Sequence, residues 1–248
     1  MALKVYTKEY ESKTKKLLKF FSYVILIVGI GMMFWAYYPM ISFEIYARFF
    51  IRKDTSSPVP DSDEASSLQL AKSVHANGNF YSNNLRDFTQ ANVWFPVKNV
   101  PGANDKIDVQ EYYLSIPKLN LEHLKVTVGG EDLSTSLVHY LPTSKPGQYG
   151  KVAIFGHSTL PQLYDKTDYK TVFTYLPQMD VGDNISISIE GKEYEYEVYD
   201  MYIVKPDKVS VLEQNFNASY IMLVTCVPPG TYKERLIVEA KLKQHSSL

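Results

Sequence analysis

From Phe20 to Phe43 the chain reads FFSYVILIVGIGMMFWAYYPMISF, without one charged residue. No other stretch constrains the fold as much, because an uncharged apolar run of that length has few places to go. As an α-helix its 24 residues rise about 36 Å, enough to cross a bilayer core of about 30 Å. A core helix of a soluble domain normally keeps a polar face, and this run has none. A cleaved signal peptide would carry a shorter apolar core, about 7–15 residues, and then small residues at the cleavage site. Here Phe34, Trp35, Tyr37 and Tyr38 stand at the far end, where aromatic side chains suit a membrane–water interface. The run therefore reads as a single transmembrane helix over 20–43. The preceding tail, 1–19, holds Lys4, Lys8, Lys13, Lys15, Lys16 and Lys19 against Glu9 and Glu11, whereas the far flank sets Arg48, Arg52 and Lys53 against Glu44 and Asp54. The positive-inside rule then places the tail in the cytoplasm, and everything after about residue 44 on the other side of the cell membrane.

Residues 44–110 read as an extracytoplasmic stalk or linker. KDTSSPVPDSDEASS, 53–67, is rich in Ser, Pro and Asp, LQLAKSVHANG is compatible with a helix, and NVWFPVKNVPGAND is broken by Pro and Gly. From residue 111 to 243 the pattern changes to short runs of β-branched and aromatic residues between turn signals: YYLSIPKL, LKVTVG, KVAIFGHS, NISISIEG, KEYEYEVYDMYIV, YIMLVTC and RLIVEAKL. This pattern predicts an all-β barrel or sandwich of about 130 residues, followed by a short tail over 244–248. IEGK is a hairpin-turn signal. Alternation of Tyr194, Tyr196 and Val198 with Glu193, Glu195 and Glu197 gives one buried and one wet face. The segment 111–243 carries 13 Lys and Arg against 17 Asp and Glu, which argues against a nucleic-acid partner. It has no repeat, no glycine-rich phosphate loop and no Cys/His metal cluster, so no cofactor is expected.

The chain has one cysteine, Cys226, in LVTCVPPG. A lone cysteine is ordinarily a small buried hydrophobe. On the oxidising side of a membrane, however, a thiol without a disulfide partner is a liability, and reactivity is one reason to keep it. An ordinary thiol, with a pKa near 8.5, is mostly protonated at neutral pH. Nucleophilic chemistry therefore needs a base or cation beside it and donors for a developing oxyanion. His157 ends the apolar run VAIFGHS, which brings an imidazole to a strand end. Arg235 is the only arginine after Arg86, and it follows Cys226 by nine residues. If VPPGTYKE is a loop between adjacent strands, the guanidinium returns to the strand end that carries Cys226. Leu236, Val238, Ala240 and Leu242 would then form the core face and leave Arg235 on the other. Spacing alone leaves a solvated edge charge equally open.

LVTC followed by Arg235, with FGHS upstream, resembles the sortases, membrane-anchored cysteine transpeptidases of Gram-positive-type cell surfaces. HYLPTSKPGQYGKVAIFGHS (139–158), VFTYLPQMDVGDNISI (172–187) and YIVKPDKVSVL (202–212) resemble the corresponding family stretches, so the similarity covers about 111–243. It implies an eight-stranded β-barrel with short helices. It also implies Cys226 as nucleophile, His157 as general acid/base and Arg235 as oxyanion or substrate stabiliser, with Thr225 at the family's threonine beside the substrate. The implied partners are an LPxTG-like C-terminal sorting signal of a secreted protein and an amino nucleophile from a cell-wall precursor or a pilin. TCVPPGT is nearer the class D and E pattern than class A. Some class A members bind calcium through acidic residues before the histidine strand, but 133–151 contains no acidic residue, leaving Glu131, Asp132 and Glu213 as a weak alternative set. The competing readings are a cysteine endopeptidase built on the same trio and a membrane-anchored binding domain without catalysis.

Overall fold

The computed structural model of the chain describes residues 13–53, 109–141 and 143–243. Helix α1 runs from Lys13 to Phe50, past both ends of the predicted span, and it is long and apolar enough to cross a membrane. The chain forms two units, divided after Ser42. In the second unit the last turns of α1 place Phe43 and Ala47 in the main hydrophobic core, and Ile51, just past the helix end and still bonded from N to the Ala47 carbonyl (3.2 Å), follows them there. Arg52 and Lys53 form a short strand, β1, that pairs in parallel with Tyr202 and Ile203. Residues 44–53 are thus helix and strand where a stalk was expected, because that apolar stripe has a core to join. The rest of the expected stalk, including the Ser/Pro/Asp-rich run and LQLAKSVHANG, lies outside the described residues, as do most of the lysine-rich tail and residues 244–248.

Eight further strands form the barrel: β2 (Glu111–Ile116), β3 (Leu121–Val128), β4 (Leu137–His139), β5 (Gly150–Phe155), β6 (Asn184–Ile189), β7 (Lys192–Val204), β8 (Ser219–Val227) and β9 (Glu234–Leu242). They are ordered β7-β6-β2-β3-β4-β5-β8-β9, and pairing of β7 with β9 closes the ring. The IEGK hairpin joins β6 to β7. Ile189 pairs with Lys192, and Glu190 (φ 51°) and Gly191 (φ 74°) both occupy the left-handed region that a two-residue primed turn requires. The predicted alternation in β7 holds through Val198. There a bulge shifts the register with β9, and Tyr202, Ile203 and Val204 are then buried in succession.

Two apolar layers result. One contains Leu114, Val126, Ile154, Ile187, Leu223, Leu236 and Val238. The other, on the opposite face of β5, β8 and β9, contains Phe155, Met222, Val224, Cys226 and Ile237 with Leu133, Val211 and Leu212 from the connecting segments. A buried ion pair, Lys151 Nζ to Glu239 Oε1 at 2.6 Å, ties β5 to β9. The Tyr199 and Tyr202 hydroxyls also donate to Glu239, at 2.5 and 3.2 Å, so the carboxylate has enough partners to sit out of water. Lys151 Nζ further donates to the Val211 carbonyl at 3.2 Å, which holds the short 3-10 turn Val209–Leu212 over the second layer.

His139 is fully buried and shares a 3.1 Å hydrogen bond between Nδ1 and the Tyr112 hydroxyl. Burial pushes its pKa down to about 4. Its folded pKa lies below the ordinary value, so between about 6.5 and about 4 the unfolded chain binds more protons than the folded one. The stability it confers is complete above about 6.5 and falls by up to about 3 kcal/mol as pH drops through that window. His139→Gln offers Tyr112 a partner that cannot protonate and should reduce this acid sensitivity. Thermal unfolding of the full chain in detergent at about pH 7 and about pH 5 is the check. An equal acid-induced loss in wild type and variant would exclude His139 as a source.

Candidate active site

β8 and β9 are antiparallel and pair Cys226 directly with Arg235. Between them VPPGTYKE folds back as a tight loop, in which Thr231 donates to the Pro228 carbonyl from both N (2.9 Å) and Oγ1 (2.7 Å). Gly230 takes φ 79°, and a Cβ there would lie 2.7 Å from Leu160 Cδ2, so glycine is needed for both conformation and space. As the alternation predicts, Leu236, Val238 and Ala240 face the main core and Arg235 faces the other way. That other side is not solvent, because Arg235 is only 4% exposed. Its Nη1 donates to the carbonyls of Tyr232 (3.1 Å) and Glu234 (3.3 Å), which compensate part of the cost of burying the charge. An open depression of about 380 Å³, lined by Lys205, Pro206, Asp207, Lys233 and Glu234, adjoins these strand ends.

β5 runs parallel to β8 as far as Phe155 opposite Val224, and the Gly156 N–H donates to the Val224 carbonyl at 3.1 Å. A Cβ at Gly156 would meet Phe173 at 2.4 Å and Leu137 at 2.6 Å, so only glycine fits between strand and histidine. His157 follows at once, its carbonyl accepting from Phe173 N at 2.9 Å. Two hydroxyls join this turn to β8: Thr225 Oγ1 donates to the Gly156 carbonyl at 2.8 Å, and Ser158 Oγ to the Cys226 carbonyl at 2.6 Å. Cys226, His157 and Arg235 are thereby gathered at one end of the barrel. Thr225 lies on the opposite face of β8 from Cys226 and is fully buried, with its hydroxyl committed to backbone. His123 lies exposed on β3 and His139 belongs to β4, apart from this group.

Among the described residues no three His, Cys, Asp or Glu side chains form a group that could hold a metal ion, so Glu131, Asp132 and Glu213 are not assembled into one site. Asp132 instead closes a local turn, its carboxylate accepting from Ser134 N at 2.8 Å, and it acts electrostatically on His157, as does Asp168. Sequence reasoning missed these two carboxylates and Ser158 as neighbours of the histidine. Only the Asp-Leu-Ser turn signal marks Asp132, and turn chemistry does not say what lies across the turn.

A profile of the sortase domain family matches residues 114–243, which contain all three gathered side chains. The chain is 27% identical over 133 residues to sortase D of Bacillus subtilis, covering 52% of this chain and 61% of that protein. It is 28% identical over 193 residues to sortase SrtE1 of Streptomyces coelicolor, covering 68% of this chain and 49% of that one. The chain thus spans about half to three fifths of the length of these relatives. In fold it is similar to the crystal structure of sortase C-1 from Actinomyces oris, with a TM-score of 0.50 at 22% identity, covering 73% of this chain and 98% of that one.

Burial dominates the electrostatics of the trio. Cys226 is 1% exposed and His157 7%. Burial pushes the thiol up to about 11 against the downward pull of Arg235. It also pushes His157 down to about 4 against the upward pull of Asp132 and Asp168, and it lowers Arg235. At neutral pH the closed site therefore holds a neutral thiol and a neutral imidazole. Cys226 is the chain's one cysteine, so selective carbon-13 labelling reports on it alone. Its Cβ shift should titrate above the ordinary value of about 8.5. In Arg235→Gln, which removes the cation, the midpoint should move higher still. A midpoint below the ordinary value in wild type, or a fall in the variant, would contradict this account of the site.

Proposed function

We propose that this chain, which belongs to the sortase family, is a membrane-anchored cysteine transpeptidase acting on an LPxTG-like sorting signal. The observation that carries the reading is the pairing of Cys226 with Arg235 across β8 and β9, with His157 joined to the same strand end. Cys226 Sγ attacks the threonine carbonyl carbon and passes its proton by way of His157. The C–N bond to glycine breaks, the glycine amine takes that proton, and a thioester remains on Cys226. An amino group from a cell-wall precursor or a pilin then attacks the same carbon, the C–S bond breaks, and the proton that the amine loses returns to the sulfur by way of His157. In both halves the carbonyl oxygen becomes an oxyanion. Two backbone carbonyls hold the guanidinium through Nη1 in a dry site beside Cys226, where its charge acts most strongly on that oxygen. α1 serves as a single-pass anchor, with the lysine-rich tail in the cytoplasm and the barrel outside, where secreted proteins and lipid-linked wall precursors meet.

The full chain in detergent, incubated with a panel of LPxTG-type peptides and followed by mass spectrometry, should form an adduct on Cys226. Adding an amine should then yield a transpeptidation product. Cys226→Ala should form neither. Arg235→Lys keeps the charge but loses the planar fork of donors, and it should lower acylation about 10²–10³-fold, roughly 2.7–4 kcal/mol. Absence of any adduct would overturn the proposal in favour of a binding domain, and hydrolysis that added amine leaves unchanged would favour an endopeptidase. Orientation is checked separately, because protease added to intact cells should remove the barrel and spare the N-terminal tail.

A further inference from the structure

The position of His157 poses a problem that the β-ladder alone does not solve. The last β5–β8 rung is the Gly156 N–H to the Val224 carbonyl, and His157 comes after it. In a parallel ladder of this register the next rungs would run from Cys226 N–H to the Gly156 carbonyl and from Ser158 N–H to the Cys226 carbonyl, and the pairing stops before both. Beyond them residue 228 is proline and has no N–H, so the ladder could not resume through the Ser158 carbonyl. The chain leaves the sheet at this point. The Cys226 carbonyl nevertheless keeps a partner, because Ser158 Oγ donates to it at 2.6 Å in place of the missing backbone rung. Thr225 Oγ1 does the corresponding service one step earlier, at the Gly156 carbonyl.

We infer that Ser158 is a positioning residue for the proposed reaction, its hydroxyl replacing the rung that would otherwise fix His157 against the backbone of Cys226. The residues on either side of His157 are both bonded to the Thr225-Cys226 pair, and its own carbonyl is held by Phe173 N. The imidazole is thus carried on a short bracket whose ends are tied to β8. Ser158 acts through His157 and Cys226 and touches neither reacting bond. Loss of its hydroxyl frees one end of the bracket and leaves the Cys226 carbonyl without that donor.

This inference rests on the proposed function for its kinetic consequence but not for its geometric one, so the test has two arms, both on the full chain in detergent. In the kinetic arm, Ser158→Ala should lower kcat about 10- to 100-fold, the scale of a misplacement of about 1 Å, while KM stays within about twofold. Ser158→Thr, which keeps the hydroxyl, should restore kcat. In the second arm, an NMR titration of the His157 imidazole without peptide should show its midpoint displaced in Ser158→Ala and returned in Ser158→Thr. Should Ser158→Ala fail to fold, Ser158→Cys, a poorer donor of nearly the same shape, takes its place. An unchanged titration overturns the inference, and so does a variant that loses only thermal stability, or an alanine and a threonine variant that behave alike. If wild type turns over no sorting peptide, the reaction reading falls, and the titration alone decides the role of Ser158.

Discussion

The antiparallel pairing of β8 with β9 is the constraint on which the rest of the site depends. Side chains alternate across a strand, so a slip of one residue would turn Arg235 toward the main core and put Leu236 beside Cys226. The register is held by apolar matching along the whole pair: Leu223 with Val238, Ile221 with Ala240, and on the other face Val224 with Ile237. A slip would mismatch those side chains and turn both Arg235 and Glu239 among aliphatic groups, away from their partners, a combination that costs several kcal/mol. Packing of the barrel therefore decides which side chain faces the thiol, and nothing local to Cys226 needs to choose it.

The second layer has a less ordinary task, since it must be apolar enough to hold a wall of the barrel together and still accommodate an arginine, a histidine and a thiol. It does so by giving buried polar groups fixed partners. Glu239 has Lys151 and two tyrosine hydroxyls, Arg235 has two loop carbonyls, and Lys151 reaches the turn that covers the layer. A buried charge whose partners are part of the fold resists displacement. The same surroundings raise the thiol and lower the histidine, so the dryness that would strengthen the proposed oxyanion contact also suppresses the ionised pair.

Much of this was legible in the sequence, and the illegible parts share a cause. Seven of the barrel strands lie in the predicted runs because each shows alternation or a β-branched run several residues long. β4, Leu137–His139, is only three residues, too short to display a period. The side of β9 occupied by Arg235 followed from alternation, but its burial did not, because the second layer is completed by segments distant in sequence. Likewise Ser158 and Cys226 are 68 residues apart, and no local pattern announces that a hydroxyl at one will find the carbonyl of the other. In the sequence the apolar span ends at residue 43, because charges begin at Glu44. The helix continues to Phe50, since Phe43 and Ala47 share a face that a core can cover and Ile51 follows them into it.

Burial also bears on why a single thiol persists on the oxidising side of a membrane, where the proposed orientation places it. Oxidation and nucleophilic attack both proceed through the thiolate, and both need access. A thiol 1% exposed and held near 11 offers neither, so the closed site protects the group it contains. The same protection forbids chemistry until something uncovers Cys226. The loops that leave β5 and β8 touch each other, Leu160 lying close against Gly230, and both begin within a few residues of the trio. On the proposed function, the uncovering of Cys226 and the activation of its thiol have to coincide, because burial is the main cause of both its inaccessibility and its raised pKa.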